Sequence, residues 1–176
     1  MVSSHKRSKN QFWVLAHNIR SMYNVGSFFR TADGAGVDKI ILGGYTAHPP
    51  RPQISKTALR AEESVPWEKV TQAWRRVDEL KRQGFYIVAL ENNVTGSQNL
   101  FDAQLHFPLL LMLGNEVNGL TNGLLKRADL IAAIPMLGKK ESLNVAVAFG
   151  IAAYTVKLRL YPVSKVFEDL IPKQRC

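Results

Sequence analysis

Short, almost continuously apolar runs alternate along the chain with longer segments in which apolar residues recur every three or four positions. The runs at Phe12 to Ala16, Lys39 to Leu42, Phe85 to Leu90, Leu109 to Leu113 and Leu130 to Ile134 are too short for helices. They carry no in-out alternation, which predicts strands covered on both faces. The helical spacing predicts helices over about Val25 to Ala35, Trp67 to Gln83, Thr121 to Arg127 and Asn144 to Leu160. Strands alternating with helices predict an α/β fold: a single-domain open parallel sheet with helices on both faces. The stretch "GGYTAHPPRPQISKTALRAEES", residues 43–64, carries three prolines and several basic residues and reads as a long excursion from the sheet edge.

Polar residues begin where apolar runs stop. "ENNVTG" follows Leu90, "GNEVNGLTNG" follows Leu113 and "PMLGKKESLN" follows Ile134. Ligands of open α/β sheets bind outside the carboxyl ends of strands, so these loops predict one pocket.

Composition narrows what that pocket serves. The 176 residues, 46% hydrophobic and 21% charged, suit one compact domain. Its expected limits are residues 11–161, between a basic arm (1–10) and a C-terminal tail (162–176). The opening "MVSSHKRSKNQFW" has no apolar region behind it and reads as an arm rather than a secretory signal. The formal charge of +9 favours a polyanionic partner. One cysteine, Cys176, excludes an internal disulfide and fits a cytoplasmic protein. The runs "FPLLLML" and "VAVAFGIAAYTV" are shorter than the roughly 20 residues of a membrane span. His5, His17, His48 and His106 lie far apart without ligand spacing, so no metal is expected. Phosphate-loop and dinucleotide fingerprints are absent, and Ser142 lacks the context of a hydrolase nucleophile. Chemistry without metal or nucleophile leaves reactions that depend on positioning two bound partners.

Three stretches carry candidate residues. In "NVGSFFR", Arg30 lies off the buried stripe Val25, Phe28, Phe29 and Ala32, and Gly26 sits one turn before it. That glycine is read as space for the arginine to lie back toward Asn18 and Asn24, or for a ligand to approach the backbone. In "GNEVNGL", Gly114 permits a sharp turn and close approach of main chain to a flat ligand. Glu116 there suits binding a cation, orienting asparagines, or a helix start near Thr121. In "IPMLGKKESLNVAVAFGIAAY", Pro135 ends a strand, Gly138, Lys139 and Lys140 form a basic loop, and Ser142 stands at the expected N-cap. The helix that follows is apolar on nearly every side from Val145 to Val156 and is expected to be buried, with a second subunit one candidate cover.

"NVGSFFR", "GNEVNGL" and "IPMLGKKESLNVAVA" resemble, in order and spacing, the three motifs of the SpoU or TrmH family of SPOUT RNA methyltransferases. The resemblance runs from about Phe12 to Tyr161. It implies S-adenosyl-L-methionine as cofactor, methylation of a ribose 2′-hydroxyl in tRNA or rRNA, a homodimer and a C-terminal deep trefoil knot. It makes Arg30 the catalytic arginine, held by Asn24 or sharing the RNA with it. Gly114, Ile134, Met136 and Leu143 then enclose the cofactor, Leu90 walls its ribose side, and Glu116, Ser142 and Asn144 stand near the methyl group and the arginine. Relatives commonly read S-L-N-V-S in the third motif, whereas Ala146 replaces the final serine here. Arg20, Lys139 and Lys140, with Lys6 and Arg7 of the arm, are the candidate RNA contacts beside Arg30. A catalytically silent RNA-binding module on the same fold is the alternative; a nucleotide-dependent oxidoreductase is disfavoured by the missing glycine fingerprint.

Overall fold

The computed structural model describes residues 10–161 except residue 93, so the arm's Lys6 and Arg7 and the tail lie outside the described residues. The elements are β1 Phe12–His17, α1 Met22–Ala35, β2 Lys39–Gly43, α2 Pro52–Ala58, α3 Ala61–Ser64, β3 Trp67–Val70 and α4 Ala73–Arg82. They continue with β4 Tyr86–Leu90, β5 Gln98–Asn99, β6 Leu109–Leu113, α5 Asn122–Leu125, β7 Leu130–Ala133 and α6 Val145–Leu160. All paired strands run parallel, in the order β3-β2-β1-β6-β4-β7-β5. The chain leaves β1 toward β2 on one side, while β6 returns to pair on the other. The boundary between β1 and β6 is therefore the topological switch, and a crevice is expected at its carboxyl end.

Continuously apolar strands supply two cores. Val14, Ala16, Ile40, Leu42, Val88, Leu109 and Leu111 face α1, α2 and α6. The alternate residues Leu15, Ile41, Ile87, Ala89, Leu110 and Met112 face α4 and α5. On the first face Phe28 of α1 stacks on Phe149 of α6, with ring centroids 4.4 Å apart. Among the described residues no helix is long and apolar enough to cross a membrane.

The helix expected over Trp67 to Gln83 is two elements. Trp67–Val70 forms edge strand β3, paired with β2 from Ile40↔Trp67 to Gly43↔Val70, and α4 begins only at Ala73. Helical spacing continues through both, but the open edge of β2 offers "WEKV" main-chain partners that outweigh its weak local preference. The excursion contains α2 and α3, which composition did not indicate. Pro52 at the first turn of α2 explains how a proline-rich segment starts a helix.

Within the described chain α6 is buried along one side only. Val145, Phe149, Ala152, Ala153 and Val156 are buried, but Val147, Tyr154 and Leu158 are 45–52% exposed. One chain covers only one face of this helix.

Candidate active site

The loops after β4, β6 and β7 meet in one pocket. Leu90, Leu113, Ile134, Leu143, Val145 and Ala148 give it apolar walls. Glu91, Asn92, Asn115, Glu116 and Ser142 supply polar groups, and among the described residues no lysine or arginine lines it.

Hydrogen bonds join the three sequence motifs through Asn24. Its Nδ2 donates to Glu116 Oε1 at 3.0 Å, and its Oδ1 accepts from Asn144 Nδ2 at 3.3 Å. Glu116 also accepts the main-chain N–H groups of Arg20, at 3.0 Å, and Ser21, at 3.2 Å. These two donors precede α1, so one carboxylate secures the entrance of that helix; Ser21 Oγ caps it by accepting from Asn24 N. Of the three roles open to Glu116, orienting an asparagine is the one seen. Asn144, rather than the expected Ser142, caps α6, its Oδ1 accepting from Ala146 N at 2.9 Å. The cap lies two residues later because Ser142 and Leu143 continue the loop along the pocket wall.

Burial pushes the Glu116 carboxyl up, but hydrogen bonds from the Arg20 N–H, its own N–H, the Asn24 amide and the Ser21 N–H outweigh it. The net pKa lies below the ordinary 4.5. A carboxyl held low in the folded state stabilises it fully above 4.5, and that contribution is lost as pH falls through the lower folded value. Thermal unfolding of wild type and Glu116→Gln is therefore expected to differ most near neutral pH and to converge below pH 4.5. A gap that stays constant down to acid unfolding would mean that the charge contributes nothing.

Asn92 and Asn115 line the pocket, and the motif reading passed over both. Asn92 pairs with Ile134 in both directions, donating to its carbonyl at 2.9 Å and accepting its N–H at 3.0 Å, and so ties the loop after β4 to the end of β7. Buried Asn115 donates to Asn18 O at 3.0 Å and to the Tyr45 hydroxyl at 2.8 Å, and its Oδ1 accepts from Val117 N and Asn118 N. Glu91 accepts Leu120 N at 2.9 Å. Their one visible sequence signal was position: each lies within two residues of the end of a buried strand.

The structure brings Leu90, Gly114, Glu116, Ile134, Ser142 and Leu143 to the pocket, with Asn24 and Asn144 bonded at its rim. Met136 is on the same loop but not in the lining. Arg20, Lys139 and Lys140 are exposed outside it. Arg30 is also exposed, six residues beyond Asn24 and so roughly 9 Å further along α1. It makes no hydrogen bond or ion pair among the described residues.

The argument for Gly26 needs correction, and Gly114 gains a second reason. A Cβ on Gly26 would lie 2.0 Å from Thr57 Oγ1 and 2.3 Å from Ile54 O, so that position is filled by α2 rather than left open for Arg30. A Cβ on Gly114 would lie 2.2 Å from Gly119 C and 2.3 Å from Leu120 N. Gly114 therefore lets β6 and its own loop touch, whatever else it does at the pocket.

Fold and site together define a parallel α/β protein whose strand-end loops form a candidate ligand pocket over β6, β4 and β7, on one flank of the topological switch. Residues 11–154 match the SpoU rRNA Methylase family, and the chain belongs to that family. It is 27% identical over 163 residues to YacO, a TrmH family protein of Bacillus subtilis (strain 168), covering 93% of this chain and 65% of that protein. The chain spans 61–65% of the length of the first curated relatives it matches. Among solved structures, the AdoMet-bound rRNA methyltransferase from Sinorhizobium meliloti is 28% identical with a TM-score of 0.80, over 88% of this chain and 58% of that one. The A. aeolicus TrmH/SpoU tRNA modifying enzyme is 28% identical with a TM-score of 0.76, over 93% of this chain and 92% of that one.

Proposed function

We propose that this protein transfers a methyl group from S-adenosyl-L-methionine to a ribose 2′-hydroxyl of tRNA or rRNA, as a cytoplasmic homodimer with a trefoil-knotted C-terminal half. The observation that carries the reading is the character of the pocket where the three motifs meet. It is walled by leucine and isoleucine, contains two carboxylates and, among the described residues, lacks any cationic side chain. That donor set fits an adenosyl group carrying a positive sulfur and disfavours a phosphate-bearing cofactor. The cofactor's presence in the Sinorhizobium meliloti relative supports the same assignment.

When bound, S-adenosyl-L-methionine supplies a methyl group already activated by its sulfonium. The protein's task is then to place a ribose oxygen and stabilise the charge developing on it. Leu90, Gly114, Ile134 and Leu143 would enclose the cofactor, with Met136 on the adjoining loop. Glu116, Asn24 and Asn144 would hold the head of α1 against it through the bonds described above. Arg30 stays protonated and serves as an electrostatic clamp on the oxyanion and the neighbouring phosphate, not as a base. Arg20, Lys139 and Lys140 would meet further phosphates.

Dimerisation follows from what α6 leaves uncovered. Val147, Ile151, Tyr154 and Leu158 recur at intervals of four, three and four residues, the spacing of a helix seam, and Ile151 is also only partly buried. Arg30 stands on the exposed side of α1, which packs beside α6. A second copy covering the stripe would bring its own Arg30 near this pocket. For the knot, the support is the order β6-β4-β7, with the loops after β4 and β7 pinned together by Asn92 and Ile134.

The test is transfer of labelled methyl from the donor to RNA, with the modified position mapped. The A. aeolicus relative, matched over 92% of its length, is named a tRNA modifying enzyme, which makes tRNA the first substrate to try. Label in ribose 2′-O-methyl groups is expected. RNA binding without transfer would favour the silent module, and label confined to bases would overturn the ribose assignment.

A further inference from the structure

A second cavity opens at the carboxyl edge of the sheet, on the face opposite the candidate active site. It is bounded by His17 at the end of β1, by Thr71, Gln72 and Trp74 where α4 begins, and by Thr121 and Arg127 around α5. Its volume of about 410 Å³ is that of a site for a mononucleotide-sized ligand. None of the functional residues discussed so far lines it.

His17 is the anomaly. It is only 8% exposed, and its Nδ1, turned toward Gly43, is sealed from solvent without a hydrogen-bond partner. Nε2 has no partner among the described residues either but, unlike Nδ1, is not sealed from solvent, and the residue lines the cavity. Buried polar groups are nearly always satisfied, so a nine-tenths-buried imidazole with a sealed, unpartnered nitrogen in the wall of an open cavity marks a place for a ligand. Burial, with Lys69 adding to it, keeps the ring below its ordinary 6.5, so it is neutral and carries one N–H. Placing that hydrogen on Nε2 leaves only an acceptor sealed at Nδ1 and turns a donor into the cavity.

The remaining groups define the ligand's charge. The ten-residue helix α4 begins here, Gln72 gives it no side-chain cap, and the N–H groups of Ala73 and Trp74 have no intrahelical acceptor. Such an N-terminus favours anions. Thr71 and Thr121 add hydroxyls, and among the described residues no aspartate or glutamate lines the cavity. Arg127 is a wall rather than a ligand group, since Asp78 takes its Nε at 2.7 Å and its Nη2 at 3.0 Å while its Nη1 donates to Gly123 O. Trp74, 43% exposed, offers an indole ring to the lining, with the guanidinium carbons of Arg75 and Arg127 5.1 and 5.3 Å from its centroid.

We propose that this cavity binds a nucleotide: phosphoryl oxygens at the first turn of α4 and at His17 Nε2, and the base against Trp74. A free mononucleotide and a nucleotide within RNA present the same chemistry, and the test separates them. Tryptophan fluorescence and the His17 imidazole resonances are followed while inorganic phosphate, adenosine 5′-monophosphate or a short single-stranded RNA is added, each against sodium chloride of matched ionic strength. Adenosine 5′-monophosphate is expected to bind about tenfold more tightly than inorganic phosphate and to move both signals. RNA binding more tightly still identifies the source as RNA; RNA leaving the His17 signal unmoved identifies it as a free nucleotide.

Thr121→Asp and Gln72→Glu each place a carboxylate at the cavity. Both positions are exposed, and aspartate is a favoured N-cap, so the fold is expected to survive, as thermal unfolding will show. Each variant is expected to weaken the nucleotide by about tenfold or more. Binding equal in wild type and Thr121→Asp, or no movement of the His17 signal with any of the three probes, would overturn the proposal. The titration contains no methyl donor, so its failure says nothing against the methyl-transfer reading.

Discussion

Arg30→Ala is expected to lose RNA methylation by about 100-fold or more while the affinity for S-adenosyl-L-methionine stays nearly unchanged. The magnitude is that of deleting a charge aimed at a developing oxyanion. The selectivity comes from the structure, since Arg30 neither lines the pocket of its own chain nor bonds to any residue that does. Activity measured at saturating donor, beside calorimetric donor binding, separates the two quantities. Near-normal turnover would remove Arg30 from the reaction. In the proposed dimer a second copy carries Arg30 to the pocket, and mixing tests that directly. Leu143→Arg places a cation in the donor pocket at a position already 36% exposed. In hybrids of Arg30→Ala with Leu143→Arg, one pocket is intact and faces an intact arginine. Two inactive proteins, refolded together in equal amounts, are then expected to recover activity at about a quarter of all sites. No recovery would place the arginine's action within its own chain.

That distance from the pocket was invisible in the sequence, where "NVGSFFR" sets Asn24 and Arg30 side by side in one motif. What was legible depended on burial. The runs at Phe12, Leu109 and Leu130 became strands starting at those residues, because a short apolar run needs cover on both faces whatever its neighbours are. The loops following Leu90, Leu113 and Ile134 converge for an equally general reason, the parallel direction of the strands they end. Trp67–Val70 failed because its state is decided by an open edge on β2, twenty-odd residues away in sequence. Ser142 and Asn144 are both good caps, and only the course of the loop along the pocket chooses between them. Glu116 was legible as a carboxylate at the sheet edge but not as the acceptor for Arg20, Ser21 and Asn24, partners more than ninety residues earlier. Local preference was readable wherever tertiary contact agreed with it, and the site is built where long-range contacts decide.

Gly26→Ala shows how large that difference is, because local and tertiary reasoning give opposite signs. Inside a helix, exchanging glycine for alanine raises helix preference by about 1 kcal/mol, so the sequence by itself predicts a more stable protein. In the structure Gly26 is where α2 crosses α1: a Cβ would sit 2.0 Å from Thr57 Oγ1, 2.3 Å from Ile54 O and 3.1 Å from Ala58 N. The Thr57 hydroxyl is itself held by donating to Tyr23 O at 2.9 Å. One obstacle is a side chain that can be removed, but the other is main chain in a packed helix, so α2 has to move. Overpacking of this kind costs about 3 kcal/mol. For a chain of this length that corresponds to a fall of roughly 6–12 °C in Tm. Adding Thr57→Ala is expected to recover only part of the loss, since Ile54 O remains in the way. A variant as stable as wild type would mean that the helices do not cross here, and the original reading of Gly26, as room for Arg30 to lie back toward Asn24, would return.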